Sequence, residues 1–373
     1  MSRRIYFLPG LFLSCLIFSM PAAAQSPKPA RQGEWDKTVE AAKREGKVVV
    51  SVPASAELRK KLEEGFEKKF PGVDLELLSA RGSSNINRIL EESRAGLHYF
   101  DAHIGGTNSM VTGLLQARVL DSLGPSMILP EVKDPKNWWG GHIWADKSQR
   151  YIYMFQAYLT ETVWYNSQVV KAEEVASYDD LLRPKWKGKI ALLDPRTPGS
   201  GDSTWAFLWA IKGEDYLKKL AQQNLMIGRN QRQLAEALAK GKAALSVGLS
   251  YYVFQPFVQA GLPVKSLSAP KEGNYASSGS GNLGILVDAP HPNATILYVN
   301  WLLSQEGQEV FSKAMGQATR RLDVDTGWTR QFGHTAAKEV LTLERFFALE
   351  NQSEEKIYKV REPAAALARR LFD

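Results

Sequence analysis

The chain has 373 residues, of which 44% are hydrophobic and 23% charged, with a formal net charge of +7. That length is enough for two cores, and the balance excludes a disordered or fibrous protein. The positive charge lies in pairs such as Lys60-Lys61 and Lys218-Lys219 with acidic neighbours. It excludes a nucleic-acid tract and supports at most a modest preference for anionic ligands.

Residues 1–24 read as a secretory signal peptide. Arg3 and Arg4 precede a mainly apolar run from Ile5 to Met20, and Ala22-Ala23-Ala24 supplies an A-x-A cleavage site. The run is shorter than the roughly 20 residues that span a bilayer. Cys15 is the one cysteine and lies inside this segment, so the mature chain is expected to have no disulfide, no thiolate metal site and no cysteine nucleophile. A periplasmic location follows as the expectation.

After a polar leader, Trp35–Glu45 predicts a helix stopped by Gly46. Lys47–Val52 is a buried strand, Glu57–Phe70 an amphipathic helix, Val73–Ser79 a strand, Ile86–Ala95 a helix and Tyr99–Ile104 a third strand. This β-α-β-α-β order predicts a mostly parallel sheet flanked by helices. Tyr151–Asn166 is strand-rich and is expected to include a crossing between lobes. Gly188–Leu193 predicts a strand, Thr204–Ile211 a helix, and Glu214–Asn224 and Gln231–Lys240 two more. Val264–Ser268 and Asn282–Val287 read as strands, Pro292–Ser304 and Glu306–Met315 as helices, and Thr335–Asp373 as a helical tail. The expected organisation is lobe 1 from 25–160 plus 263–330, lobe 2 from 161–262, and a tail from 331–373.

Three stretches carry possible chemistry. The first is Ala243–Phe257, where a small apolar strand ends at Ser250, a position suited to an N-cap, and Tyr251-Tyr252 open a helix-like run. Such a junction stands at the carboxyl edge of a sheet, where open α/β sheets bind ligands. Two phenols there could hold an anion, stack on a ring or bind a hard cation as phenolates; alternatively both rings pack in a core. The second is Pro198–Thr204 (PGSGDST), where glycines admit a ligand to the backbone and a following helix favours an anion. Ser200, Gly201, Asp202 and Ser203 are its candidate binding residues, unless Asp202 or Ser203 is simply the N-cap. The third, Arg81-Gly82-Ser83-Ser84, is a candidate second jaw through Arg81 and Ser83. No G-x-S-x-G, H-E-x-x-H, Walker loop or helix-opening G-x-G-x-x-G is present. The five histidines form no H-x-x-x-H pair, and His103, inside a strand, is read as a packed core residue.

Other segments carry a family likeness: Thr162–Asn166 (TVWYN), Tyr178–Leu182 (YDDLL) with Pro184–Lys189 (PKWKGK), and Ala289–Ala294 (APHPNA) leading to Trp301–Ser304 and Glu306–Gln308. In these the chain resembles the extracellular solute-binding proteins of bacterial ABC importers. More narrowly it resembles the branch of periplasmic ferric-iron-binding proteins and their relatives for thiamine, sugar phosphates and phosphonates. The resemblance implies an α/β, two-lobed periplasmic-binding-protein fold, a type II-like clamshell. It implies a permease and its ATPase subunit as partners, no nucleic acid, a monomer, and no enzyme activity. Tyr251 and Tyr252 fall where ferric-binding members carry a tyrosine pair, so it implies two phenolate ligands for Fe3+ as cargo, with no resident cofactor. The departures are plain. Ser55 stands near the place of a histidine, the loop Gly105-Gly106-Thr107 lacks a carboxylate, and Pro198–Ser203 has no third tyrosine. Ser55 and Thr107 complete the candidate site. The competing readings are a binding protein for a small organic anion or phosphate ester without metal, and a periplasmic hydrolase.

Overall fold

A valine-rich run, Lys47-Val48-Val49-Val50-Ser51-Val52, begins the first sheet and is buried over its central residues. The architecture comes from a computed structural model that describes residue 1 and residues 30–80, 84–267 and 270–373. Residues 2–24 of the expected signal peptide, and Arg81 and Ser83, lie outside the described residues.

The chain lays down β1 (Lys47–Pro53), β2 (Asp74–Ala80), β3 (Ala102–Gly105), β4 (Leu120–Asp121) and β5 (Tyr153–Met154) in one lobe. It leaves through β6 (Tyr158–Thr160). It then builds β7 (Val163–Asn166), β8 (Ile190–Leu193), β9 (Met226–Gly228), β10 (Leu245–Val247) and β11 (Val264–Ser266) in a second lobe. It returns through β12 (Tyr275–Ser277), places β13 (Asn282–Leu286) in the first sheet, and finally adds β14 (His334–Ala336) beside β6. The first sheet has the order β2-β1-β3-β13-β4, with β5 also on β13; the second is β11-β7-β10-β8-β9; β12-β6-β14 form a third. In each lobe a parallel set (β2-β1-β3; β9-β8-β10) meets antiparallel neighbours (β13; β7 and β11).

Packing follows the sequence pattern. Leu58, Leu62 and Phe66, four apart, give the helix Ala56–Lys69 one buried face. Phe66 meets Tyr298 and Trp301 at ring separations of 5.7 and 5.3 Å. In the second lobe Trp205, Phe207 and Leu208, from the helix Ser200–Lys212, are buried with Leu245 and Val247. The Trp138/Trp139/Trp144 group is packed: Trp138 and Trp144 stand edge-on to Tyr153, and Trp139 edge-on to Phe346.

Several expectations shift. The third strand begins at Ala102 rather than Tyr99, and just before it the Asp101 carboxylate accepts from the Val49 and His291 backbone N–H groups at 2.7 and 2.8 Å. The segment from 263 stays in the second lobe, since Val264–Ser266 pairs with β7. The tail is not all helix, because His334–Ala336 pairs antiparallel with β6. The helix expected from Thr204 starts at Ser200, so the glycine-serine stretch is its first turn.

Candidate functional site

The site grows from the carboxyl ends of β8, β9 and β10. Gly248, just after β10, has φ +80, and a Cβ there would stand 3.1 Å from the Gly201 Cα. At Gly201 a Cβ would stand 2.6 Å from the Leu193 carbonyl oxygen. Two residues without side chains therefore let the start of the helix Ser200–Lys212 lie against the end of β10. The Ser250 hydroxyl uses this closeness by donating to Ser200 Oγ at 3.1 Å. It does not cap the turn Tyr251–Val253.

Tyr251 and Tyr252 follow, with ring centres 6.1 Å apart and planes at 86°. Tyr251 is half-buried; burial, with Tyr252 beside it, pushes its phenol up to about 12. Tyr252 is 55% exposed and its hydroxyl accepts from Gln231 Nε2 at 3.3 Å. The Tyr251 ring lies 4.2 Å from the His334 ring at 69°, and His334 stacks on Tyr158 at 4.5 Å. Burial brings the His334 imidazole down to about 4, so it is neutral at pH 7; its Nδ1 donates to the Gly316 carbonyl at 2.9 Å. β14 and β6 thus place aromatic groups behind the tyrosine pair.

Glu161, between β6 and β7, lies close by. A Cβ at Gly333 would stand 3.0 Å from Glu161 Oε2 and 3.5 Å from Tyr251 Cβ. Burial raises the Glu161 carboxyl, and Oε2 has no hydrogen-bond partner among the described residues. On the first lobe Gly106 approaches the Gly279 carbonyl of the returning segment. Thr107, next in the chain, is buried with its Oγ1 unpartnered among the described residues.

The other expected residues have different tasks. Ser55 caps the helix Ala56–Lys69 by accepting from the Leu58 N–H at 3.1 Å. The Asp202 carboxylate is buried and paired with the Arg361 guanidinium of the tail. The Ser203 hydroxyl donates to the Gly199 carbonyl at 2.9 Å. Arg196 is bound by Asp194 and Asp373, and Asp194 also by Arg229; the Arg196 partner holds the Asp194 carboxyl down at about 2. His103 is the core residue expected, 2.8 Å from Ser51 Oγ and brought down to about 4 by burial. The structure therefore brings together Ser200, Gly201, Tyr251 and Tyr252 and turns Asp202 and Ser203 inward. Gln231, Glu161, Tyr158 and His334 were not foreseen. They reach the tyrosines only through tertiary pairing, and no local motif marks them.

Chemically the edge offers two phenols, two hydroxyls and a neutral imidazole stack. Among the described residues no three His, Cys, Asp or Glu side chains converge as a metal cluster. A hard cation bound here would draw on phenol oxygens and on an anion of its own.

The family model described as bacterial extracellular solute-binding protein matches residues 51–309. Iron uptake protein A2 of Synechocystis sp. is 24% identical over 255 residues; these are 64% of this chain and 66%, just under two thirds, of that protein. The Trichodesmium protein called IdiA or FutA, solved with iron and citrate, is 20% identical, with a TM-score of 0.66 over 88% of this chain and 99% of that one. AfuA from Actinobacillus pleuropneumoniae, solved with fructose-6-phosphate, is 20% identical, with a TM-score of 0.57 over 84% and 97%. Likeness at this identity establishes the fold, which is the two-lobed periplasmic-binding-protein architecture.

Proposed function

The chain belongs to the bacterial extracellular solute-binding protein family, and from that premise we propose that it captures ferric iron, together with a small organic anion, for an ABC importer. The observation that carries this reading is the adjacent pair Tyr251 and Tyr252 at the sheet edge, one half-buried and one exposed. Ferric iron is a hard cation that prefers oxygen donors and drives a phenol to its phenolate. Two phenolates leave coordination positions open, and the accompanying anion fills them. Ser200 and Ser250, 3.1 Å apart on the neighbouring turn, suit that anion's oxygens. The iron and citrate with which the Trichodesmium protein was solved support the same pairing of cargo. The signal sequence takes the chain to the periplasm and is removed after Ala24. The lobes close on the cargo, and a membrane permease with its ATPase subunit accepts the closed form and supplies the energy.

Titration with ferric citrate tests this. A visible charge-transfer band should develop, weaken in Tyr251→Phe and in Tyr252→Phe, and be lost in the double variant. A wild-type protein with no band, and no metal after dialysis, would remove the iron reading. The second reading, an organic phosphate or carboxylate without metal, draws on the high phenol pKa of Tyr251 (about 12), which suits a hydrogen-bond donor. It predicts thermal stabilisation by such an anion in the absence of iron. Turnover of a model ester would point instead to a hydrolase.

A further inference from the structure

We infer that Gln231 is a positioning residue that presets the Tyr252 hydroxyl for the cargo. The inference rests on the iron reading and extends it to a residue outside the tyrosine pair. Gln231 is the first residue of the helix Gln231–Ala239, whose start is fixed by Asn230 accepting from the Arg232 and Gln233 N–H groups. Its side chain bridges two points of the tyrosine turn. Oε1 accepts from the Ser250 backbone N–H at 2.8 Å, and Nε2 lies 3.3 Å from the Tyr252 hydroxyl.

A backbone N–H can only donate, so the Ser250 contact fixes which end of the amide is oxygen. The nitrogen must then face Tyr252, and the Tyr252 oxygen must accept. Its proton is left for another group, and once that proton is lost the remaining lone pairs are left for an electron-poor centre. A phenolate accepting an N–H bond keeps this geometry when it binds a cation. The same amide holds the Ser250 N–H at the start of the turn, a task the Ser250 side chain does not perform. One side chain thus sets both the backbone and the phenol oxygen.

The test compares wild type, Gln231→Leu, Gln231→Glu and Tyr252→Phe, each loaded with ferric citrate. The readouts are the position of the charge-transfer band and the rate of iron loss to excess chelator. Gln231→Leu removes both contacts. Gln231→Glu keeps an acceptor for Ser250 but replaces the donor to Tyr252 by a carboxylate. A hydrogen bond to a charged group is strong enough that its loss should speed iron release about tenfold or more. The band should also move to longer wavelength, because a phenolate without its donor gives up charge more readily. A merely structural role would change stability and leave the band where it is. If Gln231→Leu does not fold, Gln231→Met, which keeps the side chain's length and adds no oxygen, decides. Wild-type band position and release rate in the folded variants, with the band weakened in Tyr252→Phe, would overturn the assignment of Gln231 while sparing the iron reading. No band in wild type would overturn both.

Discussion

At pH 7 the half-buried Tyr251 phenol keeps its proton, since burial and the neighbouring Tyr252 hold it up at about 12. Ferric iron can bind it as phenolate only by displacing that proton, so loading releases protons and affinity rises with pH. The sign is definite: falling pH favours the empty site, by up to about tenfold per unit for each phenolic proton released. Protein loaded at about pH 7.5 and dialysed against citrate should lose iron progressively toward about pH 5, as read by metal content. Iron content that does not change over this range would mean that no phenol proton leaves. The fold must be followed in parallel. His103, held neutral by burial with its imidazole down at about 4, is protonated in the unfolded chain from near 6.5 downward. Its contribution to stability is full above that upper value and is lost as pH falls through the window. Circular dichroism at each pH separates metal loss from unfolding.

At the scale of elements, the approach of the helix Ser200–Lys212 to β10 depends on Gly201 and Gly248. In Gly201→Ala the added methyl meets the Leu193 carbonyl oxygen and Cγ at 2.6 and 3.0 Å, and the carbonyl cannot yield without moving β8 or the helix. The expected loss is about 1–3 kcal/mol in urea unfolding, with weaker cargo binding as Ser200 moves away from Ser250. Unchanged stability would show that the helix can slide freely. These glycines also explain what the sequence could and could not reveal. Alternating strands and helices, with a stop such as Gly46, are readable because their signals are local. The helix start at Ser200 was not, because Gly201 reads as a breaker until its neighbour across the packing is known. Tyr251 and Tyr252 stood out by adjacency at a strand end. Gln231, 19 residues before Ser250, did not, because an amide at a helix start is an ordinary surface residue until the fold lays it across the turn. β14 was hidden for a related reason: three residues in a helix-like tail become a strand only beside β6.

For the whole molecule, the tail is a structural member. β14 completes the sheet between the lobes, the Trp205 indole N–H donates to the Ala364 carbonyl at 3.0 Å, and Asn351 donates to the Ser203 carbonyl at 2.8 Å. Arg361 is the most consequential contact, since it neutralises Asp202 with both side chains buried. Arg361→Met leaves a buried carboxylate alone and should lower stability by about 3–5 kcal/mol in urea unfolding, whereas the double variant Asp202→Leu with Arg361→Met should recover most of that. Equal losses in the single and double variants would contradict this account of the pair. The same contact has a bearing on biosynthesis. Asp202 is made 159 residues before its partner, which at ordinary rates of synthesis is an interval of about ten to thirty seconds. Until then Asp202 lacks the guanidinium that it faces in the finished fold. The buried pair can therefore close only once the C-terminal segment has been made.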